Sequence, residues 1–147
     1  MYKLILTLHV IGATIWTGGH LVLALGILPG ALKRRSLERL QQFEATYERV
    51  GLPALIVQIL TGLWLAHHYL PDASAWLNLS SPWTRLVALK LLLLALTLGL
   101  AADARLRLIP RLDESRLASL AWHIVGVTAL SVLLVIAGVG FRTGGLF

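Results

Sequence analysis

Four long apolar stretches, at about residues 2–28, 50–70, 83–104 and 117–141, alternate with short polar connections. A helix needs about 20 apolar residues to cross the hydrocarbon core of a bilayer, so each stretch predicts one membrane span. Lipid offers no hydrogen bonds to a bare backbone, which makes every span helical and predicts an all-α, antiparallel four-helix bundle. Little length is left for anything else, and residues 1–147 read as a single integral-membrane domain. The first apolar run outlasts the roughly 7–15-residue core of a secretory leader and reads as a retained span.

The connections carry the orientation. The first holds Lys33, Arg34, Arg35 and Arg39, and the third holds Arg105, Arg107, Arg111 and Arg116. Basic loops stay in the cytoplasm. The second connection has Asp72 as its charge and lies between Trp76 and Trp83, rings that favour the headgroup level. The expected arrangement is a multi-pass protein of the bacterial inner membrane, N-out and C-out, with both termini periplasmic. From Leu37 through Leu40, Phe43 and Tyr47 to Val50, apolar residues recur in steps of three or four. That pattern predicts an amphipathic helix along the cytoplasmic interface, bent near Pro53 as it turns into span two. Pro110 is expected to end the helical extension of span three, and Asp113 or Ser115 to cap span four.

Composition sharpens this picture in two ways. Hydrophobic residues make up 57% of the chain, above the roughly 45–50% of a soluble domain, so the bilayer is the solvent. The net charge of +6 sits in the connections as a topology signal, and no nucleic-acid surface is expected. Cysteine is absent and the one methionine is Met1, which excludes disulfides, thiol catalysis and sulfur-rich metal sites.

Ionisable groups at bilayer depth cost several kcal/mol unless paired, neutralised or ligating, so each is a candidate site. They are His9, His20, His67, His68, Lys90 and His123. His9, Ala13, Trp16 and His20 succeed one another at steps of four, three and four, which places both histidines on one helix face, about 16 Å apart along the axis. Gly12, Gly18 and Gly19 thin the helix beside them. At about 1.5 Å per residue, His9 and Lys90 come to similar levels, about 10 Å below the outer helix ends, and His20 and His123 to about 12 Å from the cytoplasmic ends. His67 and His68 lie near the outer end of span two. Two tiers of nitrogen ligands in a helical bundle suit one or two haem b groups, each held between facing helices, with Trp16 against the ring. Thr84, Arg85 and Arg142 are candidates to meet the propionates. Each group also has a plainer role: interhelical hydrogen bonding for His9, His20 and His123, an aqueous interface for His67 and His68, and snorkelling for Lys90. Gln58 and Thr61 read as interhelical glue, and Trp64, Trp76 and Trp83 as interface anchors.

The run from Leu8 to Gly19, with His9, Trp16 and the Gly18-Gly19 pair, resembles the opening helix of the CopD copper-resistance superfamily, which includes the HemJ-type protoporphyrinogen oxidase. Phe43-Glu44, Tyr47-Glu48-Arg49, Pro53 and Thr61-Gly62 resemble its second helix. Leu89-Lys90-Leu91 resembles the lysine-bearing helix of the HemJ type, and Ile109-Pro110-Arg111 looks more like CopD. The HemJ likeness implies that His9 and Lys90 form a haem-associated pair. Three functions stay open. The first is a haem b redox protein, an oxidoreductase linked to porphyrinogen or quinone. The second is a CopD-type copper-binding or copper-transport protein with His9, His67 and His68 as outer ligands. The third is a membrane scaffold or assembly subunit, and a homodimer fits a subunit this small.

The orientation is testable directly. Alkaline phosphatase folds only where its disulfides form. A fusion after Ala75 is expected to be active and fusions after Arg35 or Leu112 inactive; the opposite pattern places the basic loops outside.

Overall fold

A computed structural model describes residues 1–145, apart from the side chain of Glu114. Four helices in it are long and apolar enough to cross a membrane: α1 (Tyr2–Arg34), α2 (Glu38–Tyr69), α3 (Pro82–Arg111) and α4 (Leu117–Thr143). The described residues contain no strand. The chain is therefore an all-α membrane bundle. Tyr2 opens α1 and Tyr69 closes α2, yet their hydroxyls are hydrogen-bonded. Phe141, near the end of α4, meets Tyr69 edge-on at 4.9 Å and Trp83 of α3 at 5.1 Å. Helix starts and helix ends thus gather in one aromatic collar, which is what antiparallel neighbours produce. The opposite end carries the basic loops and a compact apolar cluster of Leu28, Ala31, Leu40, Leu117, Leu120 and Ile124.

At the basic end the helices run past the apolar stretches. Pro29 lacks an N–H, and its ring presses on the carbonyl four residues back, which would ordinarily break α1. Instead residues Val22–Ile27 widen into a π-turn, the Leu28 amide donating to the Leu23 carbonyl, and the helix continues to Arg34. The same device precedes Pro110, where Ala104–Leu108 form a π-turn and Ile109 donates to Ala104. α2 runs unbroken from Glu38 to Tyr69, through Pro53, so the amphipathic segment and span two are one helix. At the other end Ser81 and Thr84 form a capping box with Pro82 at the first helical position, which starts α3. α4 itself has Arg116 at its N-cap position and lacks the expected side-chain cap, whereas Asp113 caps the short turn Glu114–Arg116 that precedes it, accepting from the Ser115 hydroxyl at 2.5 Å and the Arg116 amide at 3.1 Å. Those bonds, the Ser115 hydroxyl first, hold its carboxyl below the usual carboxylate range.

The helices pack unequally. α1 lies along α2, α3 lies along α4, and α1 also meets α4, whereas α2 and α3 barely approach each other. A cleft therefore remains between α2 and α3 toward the basic end.

α1 stops at Arg35, a non-glycine residue in the left-handed region at φ 50°, with the Ser36 amide donating to the Ala31 carbonyl at 3.1 Å. A side chain with Cβ disfavours that conformation by roughly 1–2 kcal/mol, part of which glycine returns through its larger unfolded entropy. Arg35→Gly is expected to stabilise the protein by up to about 1 kcal/mol, and Arg35→Val to destabilise it, when thermal unfolding is followed in detergent.

Candidate functional site

His9 is spent on the packing of α1 against α2. The Thr61 hydroxyl donates its one proton to the Val57 carbonyl at 2.5 Å, so it can only accept from His9, whose Nδ1 lies 2.9 Å away. Nδ1 therefore carries the hydrogen, and Nε2 accepts from the Gln58 amide at 3.2 Å. Gly12 and Gly62 make the approach possible: a Cβ at Gly12 would lie 2.8 Å from Gln58 Oε1, and one at Gly62 would lie 3.0 Å from the His9 ring. Lys90 of α3 is the residue that the sequence sets beside His9. No direct bond joins them among the described residues.

The remaining outer candidates do not converge on His9. His67 and His68 are exposed at the end of α2. His68 stacks on Trp64 at 5.1 Å and 7°, and lies against Tyr2. Thr84 is buried in its capping box, and Arg85 donates through Nε to the Leu79 carbonyl at 2.8 Å.

A cavity of about 420 Å³ lies at the level of His20, on the basic side of the bundle. Its walls are mainly leucine, alanine and isoleucine. Trp16 and His20 face it from α1, Glu44, Tyr47 and Glu48 from α2, Arg105 from α3 and His123 from α4. Tyr47 braces one wall: its hydroxyl donates to the carbonyls of Trp16 at 3.0 Å and Ile15 at 3.3 Å, and its ring occupies the space that a Cβ at Gly19 or Gly51 would need. Glu48 and Arg105 form an ion pair that crosses the cleft between α2 and α3.

His20 is held by its own helix. Its Nδ1 lies 2.9 Å from the Trp16 carbonyl, which can only accept, so the hydrogen is on Nδ1 and a lone pair on Nε2. The Trp16 ring flanks it at 4.4 Å and the Tyr47 ring meets it edge-on at 5.6 Å. Thr128 of α4 donates to the His20 carbonyl at 3.2 Å, fixing the turn from the far side. Nε2 has no partner among the described residues. It is also not sealed off, since the buried side-chain atoms left unpartnered are Trp16 Nε1 and Gln58 Oε1.

His123 differs. Its Nδ1 donates to the Ser119 carbonyl at 2.9 Å, and its Nε2 lies 2.9 Å from Asp103 Oδ2, with one proton between them. Arg107 binds the other Asp103 oxygen at 2.9 Å. The structure thus brings His20 and His123 to one cavity, and of their ring nitrogens His20 Nε2 alone has no partner among the described residues. No group of three or more His, Cys, Asp or Glu side chains is placed to hold a metal ion among the described residues.

Asp103, Glu48 and Arg105 do not stand out as site residues in the chain. Asp103 has a usable signal: it is a carboxylate on the last turn of an apolar span, at the depth of His123, where an unpaired charge is costly.

A family model, CopD, described as copper resistance protein D, matches residues 41–141. The match takes in most of α2, all of α3 and nearly all of α4, and so includes Glu44, Tyr47, Glu48, Asp103, Arg105 and His123, while Trp16 and His20 lie outside it. No curated protein and no solved structure matches the chain. With a four-helix membrane bundle and a family match over most of its length, the chain belongs to the CopD, or copper resistance protein D, family.

Proposed function

We propose that this protein binds copper ions as cargo inside the membrane, at the cavity between α2 and α3, with His20 Nε2 as the nitrogen donor. The observation that carries the reading is the tautomer of His20. Its Nδ1–H is fixed on a backbone carbonyl, which leaves the Nε2 lone pair unpartnered on a side chain that lines the cavity. A metal-ligating imidazole is commonly prepared in this way, with the far nitrogen donating to a carbonyl so that the ring cannot turn. The description of the family, copper resistance protein D, supports copper as the ion. The charge of the basic loops supports an orientation with this cavity toward the cytoplasm and both termini periplasmic.

The reading differs from an outer site made of His9, His67 and His68. His9 has both ring nitrogens engaged by α2, and the other two are exposed at the collar. It also differs from a two-tier haem arrangement, which requires facing ligands with free nitrogens. His123 could take that part only by leaving Asp103.

The test is metal analysis and an optical spectrum of the full chain in mild detergent, beside His20→Gln. The expected result is close to one copper per chain in the wild type, lost in the variant, and no Soret band in either. A Soret band that sharpens on dithionite reduction overturns the copper reading in favour of haem b. Copper retained in full by His20→Gln overturns the placement at this cavity.

A further inference from the structure

The polar groups around the cavity can be sorted by what already occupies them. Glu48 is bound to Arg105, His123 is bound to Asp103 and Ser119, and Tyr47 donates to backbone carbonyls. Three groups remain: Trp16 Nε1, an N–H donor with no lone pair for a cation, Nε2 of His20 and the carboxylate of Glu44. Glu44 faces the cavity, is half-buried, and has no hydrogen-bond or ion-pair partner among the described residues. Its oxygens are not sealed in protein either, because they are absent from the buried atoms without partners. It stands one turn before Tyr47 on the same face of α2, and the Tyr47 ring is 5.6 Å from His20. A carboxylate in a largely apolar wall is costly unless a cation answers it, and Arg105, the cation lining the same cavity, is already taken by Glu48.

We propose that Glu44 is the second protein ligand of the cavity, and that His20 Nε2 and the Glu44 carboxylate together take a divalent ion, Cu(II), with water completing its coordination. The choice of oxidation state comes from the donors. Soft thiolate and thioether ligands select Cu(I), and the chain has no cysteine and no methionine beyond Met1. Imidazole with a carboxylate and water suits Cu(II). The proposal rests on the copper reading and adds to it a ligand and a charge state.

The experiment uses the full chain in phospholipid nanodiscs. Cu(II) is titrated by equilibrium dialysis and by electron paramagnetic resonance, and Cu(I) is tested by competition with a Cu(I)-specific chelator. The wild type is expected to show one axial Cu(II) signal with nitrogen coupling and to lose Cu(I) to the chelator. Glu44→Gln keeps the size of the side chain and removes its charge. It is expected to weaken Cu(II) binding by on the order of tenfold or more, at least what loss of an outer-shell partner costs, with the nitrogen coupling retained. A Tm equal to that of the wild type shows that the loss is local.

Unchanged affinity and an unchanged spectrum in Glu44→Gln overturn the role of Glu44 while leaving His20 as a copper ligand. Cu(I) held against the chelator with no Cu(II) signal overturns the charge state. Neither ion bound by the wild type overturns the copper reading itself, and this inference with it.

Discussion

Lipid supplies no hydrogen-bond partner to a polar side chain, and the interior of this bundle is organised by that constraint. Thr97, with no exposed surface, donates to the Leu93 carbonyl, and Ser131 donates to Thr128. Thr128 bonds its own helix and reaches across to the His20 carbonyl. His9 is engaged through both ring nitrogens, and so is His123. Against that background His20 and Glu44 are the exceptions that matter, because both line the same cavity and each keeps an acceptor without a partner among the described residues.

The cavity exists because the helices pack in an open sequence. α1 holds α2, α4 holds α3, and α1 meets α4, but nothing comparable draws α2 and α3 together. What spans that gap is the Glu48–Arg105 pair, whose side chains remain about one-third to one-half exposed, at 36% and 53%. A pair so open to solvent contributes little to stability. It marks the mouth of the cleft more than it holds the bundle together. Cohesion at this end comes from the apolar cluster of Leu28, Ala31, Leu40, Leu117, Leu120 and Ile124, which needs α1 to continue past Pro29. The π-turn at Val22–Ile27 makes that continuation possible.

Much of the architecture is legible in the chain, for reasons that also mark where legibility stops. Apolar length and the need to satisfy the backbone dictate four helices. Counting 1.5 Å per residue gives the level of each polar group, and on that basis His9 falls level with Lys90 and His20 level with His123. Level is not direction. The partners of His9 are Gln58 and Thr61 of the neighbouring helix, residues whose sequence context marks them only as interhelical glue, and the partner of His123 is Asp103. A Pro in an apolar run signals a break, but whether the chain breaks or widens by one residue depends on neighbouring packing. That is why α1 and α3 extend as far as they do. The family resemblance has the same reach: it points to the family, while the free nitrogen of His20 is visible only once each carbonyl and carboxylate around it has been placed.

X-ray absorption at the copper edge, on the full chain loaded with one equivalent of Cu(II) in nanodiscs, is the direct test of ligation by His20. A first shell of nitrogen and oxygen without sulfur is expected, together with the outer-shell scattering of one imidazole ring, which disappears in His20→Gln. An imidazole signal that survives that substitution, or an ion with no imidazole at all, contradicts that ligation.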